Sequence, residues 1–237
     1  MAVEALKLAL GLALIALRYR YFAFDTLGNL ALAIALVLQF YGYQRMLAPL
    51  QPQGLIQGLE WSQWGWFAFA LSLAGEGPVM GSLGFLFVQG LLKVPLKAVL
   101  GKTGFKHKFL IVLAFLAIVG CLPFASFLAY FYTFIPLMSV GDSVSNMSQK
   151  LYSGAGLWAV IVLLSVVYQS CALGYFYWVK VLNSDPEAAS QAPGPGSILV
   201  LWYLRLGLLA SLGLGLFGAF YRPLTQSILL ALGIEIH

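Results

Sequence analysis

From Phe109 to Val140 roughly 32 residues pass without one charged side chain, too many for a single straight membrane crossing of about 20. Such a run is also too apolar for a water-facing surface. Pro123 lies near its middle. A proline there removes a helical hydrogen bond, and its ring clashes with the preceding turn. The run therefore predicts a helix broken near Pro123. Shorter apolar runs recur along the chain, and only 9% of the residues are charged, against roughly 25% in a soluble domain. Too few polar side chains exist to cover a soluble fold of 237 residues, so much of the solvent must be lipid. In lipid, backbone groups must bond within a segment or a closed barrel. A barrel would show short alternating segments, whereas these runs are long and continuous. The expected fold class is all-α: one polytopic transmembrane helix bundle over residues 1–237.

The chain reads as about seven spans at membrane-crossing length. Ala2 to Leu17 forms a retained first helix, because Glu4 stands where a leader would be basic and no small-residue cleavage site follows. That helix is short, so a tilted or interfacial placement stays open. A second span runs from Leu27 to Met46, followed by a loop marked by Pro49, Pro52 and Gly54. A third starts near Trp61 and ends at Gly75-Glu76-Gly77-Pro78. The fourth, Val79 to Leu100, contains Lys93, Pro95 and Lys97. After the broken run come a polar loop, Asp142 to Ser153, and a span from Leu157 to Leu182. Asn183 to Ser197 is a flexible connection, and Ile198 to Tyr221 is the last span before a mildly amphipathic tail, Pro223 to Ile236.

The formal net charge is +5, from 13 Lys+Arg against 8 Asp+Glu. These cations are scattered between apolar spans, so nucleic acid is not an expected partner, and lipid headgroups are. The basic loop Lys102, Lys106, Lys108 votes for the cytoplasmic side. Arg18 and Arg20, three crossings away, give the opposite vote, so orientation stays open.

Lys93 is the strongest chemical candidate. An ionisable side chain deep in an apolar helix costs about 2.5–3.5 kcal/mol on insertion scales, and it usually faces a wet cavity or a partner. A buried lysine is also a workable proton carrier. Lys97 lies one turn further along, and snorkelling to the interface is the plainer account of it. Pro95 between them frees a backbone carbonyl, as in the discontinuous helices of transporters. Glu60 and Glu76 fall at expected helix ends, and Asp142 and Asp185 in loops, where solvated charge is the default. Trp61, Trp64 and Trp66 read as an interfacial aromatic belt. Cys121 and Cys171 lie in apolar runs as packing residues, and His107 and His237 are too few for a metal or haem site. Asn146-Met147-Ser148 matches a glycosylation triplet that arises often by chance. No cofactor and no catalytic grouping of this chain's own are expected.

Four segments, in order, resemble one family. Trp61-Ser62-Gln63-Trp64-Gly65-Trp66 is similar to a Ser-x-Ser-Gln-x-Gly-Tyr/Trp helix opening. Gln89-Gly90-Leu91-Leu92-Lys93-Val94-Pro95-Leu96 is similar to a His-Ala-Leu-Phe-Lys-Ala-Leu-Leu segment. Gly120-Cys121-Leu122-Pro123-Phe124-Ala125-Ser126-Phe127-Leu128-Ala129-Tyr130-Phe131-Tyr132 resembles a Gly-x-Pro-Pro-x-x-Gly-Phe-x-x-Lys-Phe-Tyr segment. Gly174-Tyr175-Phe176-Tyr177-Trp178-Val179-Lys180 resembles a Tyr-Tyr-Tyr-Leu-Arg stretch, here followed by Pro186 and Glu187. Together they resemble the antiporter-like, proton-translocating membrane subunits of complex I and of multisubunit cation/proton antiporters.

The resemblance implies that residues 61–230 form one antiporter-like half behind divergent helices in 1–60, where the family carries two inverted halves. It implies a proton path with Lys93 as its centre, Lys97, Tyr130 and Gln89 as further candidates, and Pro123 at the broken helix. Gln89 stands where the family has histidine and Tyr130 where it has lysine, so only Lys93 keeps a group that titrates readily. The implied role is a small subunit of a larger complex, without a catalytic site of its own, beside a proton-translocating oxidoreductase. Its partners would be other integral membrane subunits and lipid, in a bacterial inner (plasma) membrane or a thylakoid membrane. Quinone, NADH and iron–sulfur chemistry would belong to those partners. Two other readings stay open: an independent small ion transporter or channel, and a non-transporting assembly or scaffold protein.

Overall fold

The computed structural model describes residues 2–21, 25–47, 52–73, 76–103, 107–120, 123–138, 195–218, 221–231 and 233. Every regular element among them is helical. In chain order these are α1 (Ala2–Tyr21), α2 (Asp25–Leu47), α3 (Pro52–Ser72) and α4 (Glu76–Val88). A π-helical turn, Gln89–Lys93, then leads without a break into α5 (Val94–Thr103). The others are α6 (Lys108–Val119), α7 (Ala125–Met138), α8 (Pro195–Leu216) and α9 (Tyr221–Ala231).

Local chemistry explains most of the boundaries. α3 opens at Pro52, nine residues before Trp61. Proline suits a first helical position, where its missing N–H would have no partner anyway. The expected loop through Pro52 and Gly54 is therefore helix, and only 48–51 separates α2 from α3 in the sequence. Pro78 likewise sits in the first turn of α4, so that helix already begins at Glu76. The 109–140 run divides as expected. α6 ends with Gly120 in the left-handed region at φ 97°, a conformation glycine adopts without steric cost. The chain then passes Pro123 and restarts at Ala125.

Two helical stretches among the described residues are long and apolar enough to cross a membrane: Gly77–Leu100, which includes the π turn, and Ile198–Leu216. The expected count of about seven is not reached by these residues. α6 and α7, 12 and 14 residues long, are each too short for one crossing. The segment Leu157–Leu182, the Asp142 and Asp185 loops, the Asn146 triplet, both cysteines and His237 lie outside the described residues.

α2 and α3 run antiparallel with their backbones nearly touching, for a methyl group at Gly42 would stand 2.7 Å from the Gly58 carbonyl oxygen. Two apolar clusters form the interior. One gathers Leu92, Leu96, Ile111, Phe115, Ile118 and Leu204 from α5, α6, α8 and the π turn. The other gathers Ile15, Trp66, Phe67, Phe85, Tyr130 and Leu229. Val88 and Leu92 belong to the first cluster, and Phe85 and Leu86 to the second. The π turn is thus where one helix passes from one cluster to the other. Trp66 is fully buried, with its ring 4.9 Å from Tyr130, while Trp61 is 41% exposed. Trp66 is therefore core and not part of the expected aromatic belt.

Candidate functional site

Lys93 is the last residue of the π turn, and its side chain is 3% exposed. The α-register cannot run cleanly through this point, because Pro95 has no N–H to donate. The chain widens instead, and the Val94 N–H donates to the Gln89 carbonyl, five residues back. π turns inside α-helices recur at functional sites. The inserted residue also sets the face on which Lys93 leaves the helix. Gln89, at the start of the turn, is buried too. Lys97, one turn further along, is exposed, so the two lysines part company: Lys93 turns inward and Lys97 outward.

The partner of Lys93 is Glu60, whose Oε1 lies 3.5 Å from Lys93 Nζ. The same oxygen accepts a hydrogen bond from Lys7 Nζ on α1. Glu60 is not the solvated helix-end residue expected from the sequence. With α3 starting at Pro52, it falls inside the helix, and its side chain is 12% exposed. Three helices thus bring one carboxylate between two ammonium groups. Two of those groups, Glu60 and Lys7, were missed from sequence. A signal for Glu60 existed in Pro52, which reads as a helix start. A signal for Lys7 existed in its position within the apolar first run. Among the described residues no group of three or more His, Cys, Asp or Glu side chains could hold a metal ion.

The broken helix is stitched by polar groups. At its upstream end the Gln63 amide donates to the Ile118 carbonyl at 3.2 Å, and the Ser126 hydroxyl donates to the Ala117 carbonyl. These bonds satisfy carbonyls that a helix C-terminus leaves without internal donors. At the downstream end the Ala125 N–H donates to Ser211 Oγ on α8 at 3.3 Å. α8 approaches both irregular segments along one stripe of small residues. A methyl at Gly215 would overlap the Pro123 carbonyl oxygen, and one at Gly207 would overlap the Leu91 carbonyl oxygen in the π turn. Gly207, Ser211 and Gly215 repeat every four residues, so they lie on one side of α8.

Tyr130 does not join the charged group. It is 8% exposed and packs edge-on against Trp66 and Phe85, with 4.9 Å between ring centroids in each pair. Pro123 is part of the contact with α8 rather than of the charge cluster. Of the sequence candidates, Lys93 and Gln89 therefore share the π turn, Lys97 sits at its rim, and Tyr130 and Pro123 belong to the broken helix and its packing. Comparison with known proteins returned no matching family description, no similar curated protein and no similar solved structure.

Proposed function

We propose that this chain is a small antiporter-like membrane subunit of a larger proton-translocating complex, with Lys93 on its proton path. The observation that carries this reading is the inward-turned Lys93, held in a π turn of an apolar helix and charge-paired with Glu60. Proton carriers inside membranes are paired ionisable groups of this kind. The ordered resemblance of residues 61–230 to antiporter-like subunits supports the same reading, as does the restart of the helix after Pro123. The bundle would hold about seven spans, the usual crossing length being about 20 residues. It would sit in a bacterial inner (plasma) or thylakoid membrane. Its outward apolar side chains, among them Val37, Phe40, Leu199, Trp202 and Leu209, would meet lipid and neighbouring subunits.

One observation favours a second reading, that of a non-conducting scaffold. Where the family carries titratable groups, this chain has Gln89 and Tyr130, and Tyr130 is taken up in aromatic packing.

Separation of gently solubilised membranes on a native gel tests the subunit role. Migration of the chain within a large complex is expected. Migration alone, near 25.8 kDa plus detergent, would overturn it. Dye-monitored proton flux into proteoliposomes of the purified complex, driven by an imposed potential, tests the path. Lys93→Met should abolish flux while the complex still assembles. Full flux in Lys93→Met would leave the scaffold reading.

A further inference from the structure

We infer that Lys7 is the group through which protons reach Glu60 and Lys93, which makes α1 a working part of the site rather than a lead-in helix. The inference rests on the proton-path reading above. Its basis is a graded series: the side chains of Lys7, Glu60 and Lys93 are 31%, 12% and 3% exposed. Each member touches the next, and both lysines address the same carboxylate oxygen, Oε1. Lys7 is the most exposed of the three.

The packing of α1 fixes this arrangement. Gly11 lies against the Leu86 side chain, and a methyl at Gly90 would touch Leu8, the neighbour of Lys7, at 3.4 Å. α1 therefore lies along the helix that carries the π turn. The open space beside it holds no ionisable carboxylate or amine. A cavity of about 310 Å³ between α1, α4, α8 and α9 is lined mostly by apolar residues such as Leu8, Leu12, Leu86 and Leu91, and its two hydroxyls, on Tyr221 and Thr225, donate to backbone carbonyls. Other cations on helices around the site sit further out. Lys97 is exposed and close enough to Glu60 to interact with its charge. Arg205 of α8 is exposed and stacked over Trp202.

The transfer balances as two proton shifts. With Lys93 as the neutral amine, the Lys7 ammonium gives a proton to Glu60 Oε1, and the resulting carboxylic acid gives it to Lys93 Nζ. The products are neutral Lys7, the Glu60 carboxylate and the Lys93 ammonium. Water on the exposed side of Lys7 then returns a proton to its amine.

Arginine separates conduction from tethering. Lys7→Arg keeps the positive charge and can keep the ion pair with Glu60, but a guanidinium does not release its proton in proteins. The assay is potential-driven proton flux into proteoliposomes of the purified complex, expressed per copy of the chain. Lys7→Arg and Lys7→Met should each lower flux roughly tenfold or more, the scale on which a positioned proton-transfer group acts. Lys97→Arg should leave it unchanged. Wild-type flux in Lys7→Arg would overturn the inference, reducing Lys7 to a tether. Loss of flux in Lys97→Arg together with retention in Lys7→Arg would also overturn it and move the inlet to Lys97. Because Lys93→Met is measured alongside, the two failures are distinct. Full flux in Lys93→Met removes the underlying reading, whereas its loss beside an active Lys7→Arg removes only the role of Lys7.

Discussion

Gly215→Ala is the sharpest test of how α8 holds the broken helix. The added methyl would overlap the Pro123 carbonyl oxygen and press on the Phe124 carbonyl carbon at 2.7 Å. Both obstacles are backbone, so no rotamer change relieves the clash. The helices must separate by roughly 2 Å to regain ordinary contact distances of about 3.5 Å. Forced overpacking of this kind costs about 1–3 kcal/mol. The same movement lengthens the bond from the Ala125 N–H to Ser211 Oγ, already 3.3 Å, beyond useful range. A buried donor left without a partner adds about 1–3 kcal/mol, so the expected loss is roughly 2–5 kcal/mol. Gly213→Ala, two residues earlier and on the far side of the same helix, is the matched control, because nothing lies within 4 Å of a methyl there. It should gain about 0.5–1 kcal/mol from reduced backbone entropy. Thermal unfolding of the purified protein in mild detergent, followed by tryptophan fluorescence, gives the comparison. At about 2–4 °C per kcal/mol for a chain of this size, the two variants should differ by roughly 5 °C or more, Gly215→Ala being the lower. Equal midpoints would refute the close approach of α8 to Pro123.

Further outcomes follow from single contacts. Trp66→Ala removes a fully buried ring that packs on Tyr130 and Phe85 and should cost about 3–5 kcal/mol. Trp61→Ala, at a 41% exposed position, should cost far less in the same thermal assay. Glu60→Leu leaves Lys7 and Lys93 without their shared counter-charge and should cost about 3–5 kcal/mol. Adding Lys93→Met to that variant should recover part of the loss, and no recovery in melting midpoint would contradict the pairing. Tyr221→Phe deletes the hydroxyl that donates to the Met80 carbonyl at 2.8 Å and should cost about 1 kcal/mol, read as a lower unfolding midpoint.

The broken helix could be read from sequence because a proline inside a long uncharged run has few other outcomes. Lys93 stood out for the same reason, as one charge among apolar neighbours. Glu60 did not, because the aromatic cluster marks the third helix more strongly than Pro52 does, and a helix counted from Trp61 leaves the carboxylate outside it. The three tryptophans show what periodicity can add. At 100° per residue, Trp61 and Trp64 lie about 60° apart around the helix, while Trp66 lies about 140° from Trp61. A single belt could not hold all three, and the buried position of Trp66 follows from its face. The π turn was beyond reach of sequence. Pro95 announces a disturbance, but whether the chain kinks, ends or widens depends on what packs against it. Here that is Gly207 of α8, more than a hundred residues later in the chain.

The charged trio has a feature suited to a carrier rather than a clamp. In the proposed membrane setting, burying one lysine costs about 2.5–3.5 kcal/mol. An ion pair at the 3.5 Å separation of Lys93 and Glu60 returns about 4–5 kcal/mol at an effective dielectric constant near 20. Glu60 brings an insertion cost of its own, which Lys7 helps to offset, and the two lysines repel each other across the shared oxygen. These terms oppose one another, so neither ion pair is held by its full Coulomb attraction. A carboxylate held by one lysine alone would favour a fixed ion pair. Shared between two, it can move from one to the other at little net cost. That balance depends on Lys7 being present and on α1 being docked. Removing α1 should therefore silence proton flux even if the rest of the bundle assembles.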